Sequence, residues 1–438
     1  MIETKEFKTY TLRNFTDIPQ LRENLTEEQM KVIQVVGTIL PFKVNNYIVD
    51  ELIDWNNFEM DPIFILTFPQ KGMLKPEDYK EVEDAINAGI RGPELKLIAN
   101  KIRQKLNPNP AGQMEHNVPI YNGERLDGVQ HKYEQTLLFF PSHGQTCHAY
   151  CTFCFRWPQF IGSQDLKFAR KETDMVIKYI EKHPKISDVL ITGGDPMTMS
   201  AERLRAYIEP FLKLEQIRNI RIGTKSLAYW PYKFVNDSDA EDVLQLFRDV
   251  VTSGKQLAFM AHFNHPNELA TPILEEAVAN IRATGAQIRT QSPIMRHIND
   301  NPCAWRDMWK KQVQLGMIPY YMFLARDTGA REYFSVSLVR AWNIYRDAYK
   351  QVSGIARTVR GPSMSAHPGK VGVLGPVKIE GKKYLALNFI QGRNSDWVNQ
   401  PFFAKFDENA EWLDDLKPAF GQEHFFFETE LIDDVKLN

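Results

Sequence analysis

Between residues 130 and 345 the chain alternates short apolar runs with amphipathic helical stretches six times, and that alternation predicts an α/β fold. Repeated strand-then-helix units require a parallel sheet with right-handed crossovers. Either a doubly wound sheet or a barrel would satisfy the alternation. The polar residues decide between them, because nearly every chemically useful one falls just past the C-terminal end of a strand, the rim where barrels carry their chemistry. The expected architecture is a partial (β/α)6, TIM-like barrel over residues 130–345. An N-terminal helical region and linker (1–129) precede it, and a C-terminal α+β extension (346–438) follows.

In chain order, Thr26 before Glu27-Glu28-Gln29 predicts a helix start, with Thr26 as N-cap and Gln29 placed for a capping box. A second helix is expected from Lys75-Pro76, with proline at the first helical position, and a third over Leu95–Leu106. Asn107-Pro108-Asn109-Pro110 ends it and opens a surface linker reaching Gly128. The six expected strands are Gln135–Phe140, Asp188–Thr192, Asn219–Thr224, Leu257–Phe263, Gln287–Gln291 and Ile318–Leu324. Ala201–Leu212, Ala240–Val251 and Leu269–Ala283 are helical stretches between them. Beyond residue 350, Ile355–Arg360 and Lys370–Leu374 are expected strands, and Val377–Leu385 is a hairpin turning at Gly381.

Composition narrows the class. The 438 residues are 43% hydrophobic and 25% charged, ordinary for a chain that buries a core. A net charge of −2 gives no basic field for nucleic acid. No run reaches the ~18–20 apolar residues of a membrane span, and no signal peptide opens the sequence, so no membrane association is expected. Only four cysteines, three of them clustered, fit a reducing cytoplasm.

That cluster is Cys147-His148-Ala149-Tyr150-Cys151-Thr152-Phe153-Cys154, spaced C-x3-C-x2-C directly after the first strand. Three soft thiolates in one loop can hold a cubic iron–sulfur cluster, leaving one iron without a protein ligand. The competing reading is tetrahedral zinc on the same cysteines with His143 or His148, but structural zinc sites pair two separated knuckles and only one exists here. Cys303 stands alone and is expected to be an ordinary buried thiol.

This spacing resembles the signature of the radical S-adenosylmethionine (SAM) superfamily. The resemblance implies a [4Fe–4S] cluster on Cys147, Cys151 and Cys154 whose open iron holds SAM. Gly193-Gly194-Asp195, one unit later, is similar to the segment that holds the methionine amino group. Five collinear segments, DVLITGGD (188–195), IRIGTKS (220–226), HFNHPNE (262–268), TQSPIMRHIND (290–300) and IPYYMF (318–323), resemble the lysine 2,3-aminomutase family, with a fainter echo in Asp61-Pro62-Ile63 and Phe68-Pro69. That family moves an amino group between C2 and C3 of an amino acid with the help of pyridoxal phosphate (PLP), while SAM supplies and recovers a hydrogen atom.

The family likeness implies several roles. Arg156 matches the residue that pairs with the substrate carboxylate, a task suited to a planar, permanently charged guanidinium. Lys370, in Ser365-Ala366-His367-Pro368-Gly369-Lys370, matches the PLP lysine of a glycine-rich turn. Lys132 and Tyr133 match a segment lining that cofactor, and His265 and Gln291 match residues at the cofactor rim. The arginine expected shortly after Tyr133 is replaced by Thr136, so the hydroxyl or Lys132 would have to grip the phosphate.

Two acidic positions that hold a lysine substrate's ammonium read here as Arg326, beside Asp327, and as Ser363 or Arg360. Leaving a buried ammonium unpaired costs enough to reject lysine, and an arginine invites an anionic side chain such as glutamate. The expected function is therefore a radical SAM, PLP-dependent 2,3-aminomutase, with a small amino acid as substrate and a flavodoxin- or ferredoxin-type electron donor. One alternative is a PLP-independent radical SAM enzyme abstracting hydrogen from a small molecule or peptide; another is a metal-bearing regulatory protein. Without C-terminal cysteines no intersubunit zinc is expected, and a homo-oligomer is left open.

Overall fold

The computed structural model describes residues 4–107, 117–161 and 168–430. Much of the expected linker, residues 108–116, lies outside the described residues. One sheet of eleven strands runs through the molecule in strict sequence order. Its strands are β1 (Val129–Tyr133), β2 (Thr136–Phe139), β3 (Asp188–Ile191), β4 (Asn219–Thr224), β5 (Gln256–His262), β6 (Gln287–Ile294), β7 (Ile318–Leu324), β8 (Arg360–Ser365), β9 (Gly369–Ile379), β10 (Lys382–Gly392) and β11 (Pro401–Lys405). From β2 to β8 every neighbouring pair is parallel. At one edge β1 folds back antiparallel on β2, and at the other β8 to β11 form an antiparallel meander.

The helices that make the parallel crossovers include Ala201–Leu212, Ala240–Thr252, Pro272–Ala283, Pro302–Gln314 and Leu338–Tyr349. Their apolar stripes face the sheet. In Ala240–Thr252, Val243, Leu246, Phe247 and Val250 recur at helical spacing and are fully buried, and Phe247 packs edge-on against Phe259 of β5 at 5.0 Å between ring centroids. Burying each such side chain stabilises the fold by ~1.5–3 kcal/mol.

The strands carry two different faces. Ile220 and Ile222 of β4 are fully buried, while Asn219, Arg221 and Gly223 between them are only half-buried. β6 repeats the alternation with Gln287, Arg289 and Gln291. Parallel strands covered on both faces normally read apolar throughout. A polar second face on interior strands marks a surface built to meet a ligand.

Several expectations hold to the residue: Asn219–Thr224, Ile318–Leu324 and Ala201–Leu212 form as read. Thr26 caps Glu27–Ile39 with the full capping box, and Pro76 opens Pro76–Asn87. Others need correction. Ile355–Arg360 is not a strand: Ile355 is exposed in a 3-10 turn over Gly354–Ala356, and the strand begins only at Arg360. Pairing with the free edge of β7 overrides the turn signal of Gly361-Pro362. Leu269–Ala283 divides into a 3-10 turn, Pro266–Leu269, and a helix that starts at Pro272. Cys303 is exposed rather than buried, because Trp305 and Trp309 of the same helix take the core-facing positions. The expected strand Lys370–Leu374 forms and is longer, Gly369–Ile379, with Lys370 opposite Ser365 of β8.

The N-terminal region has a structural task its sequence did not announce. The backbone N–H of Tyr150 donates to Lys43 O at 2.8 Å, and that of Thr152 donates to Leu66 O at 2.9 Å. Lys43 Nζ donates to Cys147 O at 2.7 Å, and the buried Asn45 Nδ2 donates to His148 O at 3.3 Å and Tyr229 O at 2.8 Å. Asp61 caps the helix Pro62–Thr67, accepting from Phe64 N at 2.7 Å, and so sets the carbonyls that Thr152 meets. The cysteine loop is held from outside the parallel strands.

Candidate active site

The cysteine loop leaves the C-terminal end of β2, where Cys147, Cys151 and Cys154 are all partly buried. Burial pushes each thiol up, Cys151 to about 12, so the thiolates depend on a positive partner such as a metal. Among the described residues no three His, Cys, Asp or Glu side chains come close enough to share one metal ion. The three thiols are nonetheless near enough to act on one another, since Cys154 and Cys151 both raise Cys147 after burial and Asp195. Thiolates of a cubic cluster bind separate irons and stand further apart than the ligands of one ion, so this arrangement fits a cluster. The histidines of the zinc alternative are engaged elsewhere: His148 Nδ1 pairs with Ser226 Oγ at 2.9 Å and His143 Nδ1 with Tyr207 OH at 2.7 Å.

Gly193-Gly194-Asp195 leaves β3 and packs against that loop. A Cβ on Gly194 would stand 2.4 Å from Thr146 O, so only glycine allows the approach. The Asp195 carboxylate is saturated by the protein. It accepts from Met197 N at 2.9 Å, Thr224 Oγ1 at 2.7 and 2.9 Å, and Lys225 N at 2.8 Å. It therefore braces two neighbouring strand ends, and burial holds it above the usual carboxylate range.

A polar spine that sequence reasoning missed extends this brace along the rim. Lys225 Nζ donates to Glu268 Oε1 at 2.5 Å and to Asn264 Oδ1 at 2.7 Å, Asn264 Nδ2 donates to Ser292 Oγ at 2.8 Å, and Asn299 Nδ2 donates to Asn264 O at 2.9 Å. His265 caps Pro266–Leu269, its ring accepting from Asn267 N at 3.3 Å. Gln291 pairs with His262 across β6 and β5 at 2.7 Å. Burial and the nearby Lys225 charge hold His262 neutral, at about 3. The signal lay inside HFNHPNE and IRIGTKS, where polar residues crowd strand ends.

Arg156 and Arg326 meet across Phe155, with guanidinium carbons 5.1 and 5.6 Å from its ring centroid. Arg156 also stacks on Phe140 at 4.4 Å. Burial draws Arg156 down to about 10, with Cys154 opposing and Arg326 adding to the effect. Arg326 has a buried Nε without a hydrogen-bond acceptor, its nearest carboxylate being Asp327 at 3.7 Å. Two guanidiniums beside one ring, with a donor unused, have the chemistry to hold carboxylate groups. Residues 170 positions apart, they could not be paired from sequence.

Lys370 is enclosed in the same strand system, its ammonium 3.8 Å from the Tyr321 ring centroid. Burial, then repulsion from Arg221 and Arg360, brings it down to about 7. Lys132 donates to Ala366 O at 2.5 Å and is drawn to about 6 by burial and by Arg393, Arg326 and Lys370. Burial holds the Tyr133 hydroxyl protonated, well above its ordinary range. A lysine poised to lose its proton is a nucleophile for an aldehyde, so the residues present suit PLP.

No family model matches the chain. A protein from Aquifex aeolicus named "Putative L-lysine 2,3-aminomutase" is 29% identical over 395 residues, covering 90% of this chain and 92% of that protein. Glutamate 2,3-aminomutase from Clostridioides difficile is 23% identical over 398 residues, covering 90% and 83%. L-lysine 2,3-aminomutase from Haemophilus influenzae is 25% identical over 246 residues, covering 55% and 69%. Among solved structures, a radical SAM methyltransferase from Sphaerobacter thermophilus aligns over 56% of this chain and 68% of its own at 13% identity and TM-score 0.35. Streptococcus suis SuiB bound to precursor peptide SuiA aligns over 62% and 59% at 9% identity and TM-score 0.36.

Proposed function

We propose that this chain, a member of the lysine 2,3-aminomutase family of radical SAM isomerases, moves an amino group between C2 and C3 of an amino acid with a negatively charged side chain, glutamate first. The observation that carries the reading is Lys370, a half-buried amine 3.8 Å from the Tyr321 ring and brought down to about 7, set in the strand system that also ends in the three cysteines. Parallel strands in unbroken sequence order, with no reversal, support the winding of a partial (β/α)6 barrel over that of a doubly wound sheet. A [4Fe–4S] cluster on Cys147, Cys151 and Cys154 with SAM would supply the hydrogen-abstracting radical, and PLP on Lys370 the conjugated carrier of the amino group.

The chain's own side chains bind and orient. Arg156 takes the α-carboxylate and Arg326 the side-chain carboxylate, each by a charge-assisted contact. Asp195 keeps the rim loops in register, and His262 keeps Gln291 aimed inward. Electrons would come from a flavodoxin- or ferredoxin-type donor.

Anaerobic incubation with SAM, PLP, a reductant and a panel of amino acids, followed by mass spectrometry, tests the substrate. Glutamate should yield a β-amino product and lysine none; turnover of lysine at the higher rate would refute the role of Arg326. Borohydride reduction of the PLP-loaded protein should fix PLP on Lys370. An unchanged adduct in Lys370→Ala would assign another lysine, Lys132 being the next.

A further inference from the structure

Below the rim, the polar face of the sheet holds a second cationic group. Arg221 of β4 donates through Nε to Asp188 Oδ1 of β3 at 2.5 Å and through Nη2 to Thr136 Oγ1 of β2 at 3.3 Å. Its guanidinium thus spans three strands. Arg289 and Arg360 approach the Tyr320 ring, each 5.2 Å from its centroid, and Tyr320 packs on Tyr321, which faces Lys370. Asp188 is the counter-ion of Arg221, a pair whose side chains are only partly shielded from solvent. These bonds use Nε and Nη2 of Arg221 and leave Nη1 without a partner among the described residues. Lys370 feels Arg221 as a repelling charge, which places the two cations within electrostatic reach of each other.

We infer that Arg221, seated on the Thr136 hydroxyl, is the cation that grips the phosphate of the aldehyde cofactor bound by Lys370. The inference rests on the PLP reading above and assigns the anion grip within it. In pyridoxal phosphate the aldehyde and the phosphate-bearing arm sit on adjacent ring carbons, so one molecule needs an amine and an anion grip side by side. Lys370 and Arg221 are that pair. Register separates this grip from the substrate end. Arg221 aligns with Leu190 of β3 and Ala258 of β5, below Thr224, whose hydroxyl reaches Asp195 at the rim, whereas Arg156 follows Cys154 directly. A phosphate drawn to Arg221 leaves Arg156 and Arg326 for the carboxylates of the substrate. The polar side chain at position 136 then has a reason: an arginine there would crowd Arg221.

Equilibrium binding of PLP and of pyridoxal, which lacks the phosphate, tests this without turnover. Adducts are fixed with borohydride and counted by mass in wild type, Arg221→Gln, Arg221→Lys and Lys132→Gln. Wild type should prefer PLP, and inorganic phosphate should weaken PLP without weakening pyridoxal. Arg221→Gln should lose the preference roughly tenfold or more while keeping pyridoxal binding, Arg221→Lys should recover part of it, and Lys132→Gln should retain most. Arg221→Gln or Arg221→Lys with a full wild-type preference would overturn the assignment, as would phosphate failing to compete in wild type, a result that needs no variant. Loss of the preference in Lys132→Gln alone would move the grip to β1. Wild type forming no adduct with either aldehyde would instead overturn the PLP reading, and this grip with it.

Discussion

At the scale of single residues, the proposed function makes the protonation of Lys370 the governing variable. Burial is the first cause of its displacement, because the charged form loses hydration that an aromatic face only partly replaces. An amine attacks an aldehyde only when neutral. The yield of reducible PLP adduct should therefore rise as pH passes through about 7 and level off above it; a rise deferred to the ordinary lysine range would mean that the amine is solvated. The same displacement sets a sign for stability. With the folded value below the unfolded one of about 10.4, the unfolded chain binds more protons between the two, so the penalty is full at low pH and stability rises across that window.

At the scale of elements, the rim depends on buried polar contacts between neighbouring strand ends. Glu268 is fully buried and holds Lys225. Breaking such a pair strands one charge in a low-dielectric site, so Glu268→Ala should cost about 3–5 kcal/mol in denaturant unfolding, and the double change Lys225→Met with Glu268→Leu clearly less. Equal losses would show that the pair is solvated. The cysteine loop depends similarly on Asn45, which donates to two carbonyls and accepts from Ile48 N at 3.1 Å. Asn45→Leu orphans these groups at about 1–3 kcal/mol each. We expect that variant to retain less iron per chain than wild type after anaerobic reconstitution and gel filtration. Full retention would show that the loop needs no support from the N-terminal region.

At the scale of the whole molecule, one continuous sheet joins the strand before the cysteines to the strands beyond Lys370. A lysine on a separate domain could drift from the cysteine loop; one on a shared sheet is tied to it. Amides of Gly369–Ile379 should therefore exchange with deuterium about as slowly as those of Asn219–Thr224. Early, independent exchange of the C-terminal meander would show two units instead. By itself the sequence determined the alternation of strands and helices and the clustering of three cysteines in one loop, because periodicity and motif spacing are local properties of neighbouring residues. Tertiary structure alone decided that Arg221 meets Thr136 across 85 positions, that Lys43 meets Cys147 across 104, and that Arg156 and Arg326 share Phe155. Those meetings follow from strand register and crossover packing, which bring distant positions onto one face and leave no periodic trace in the chain.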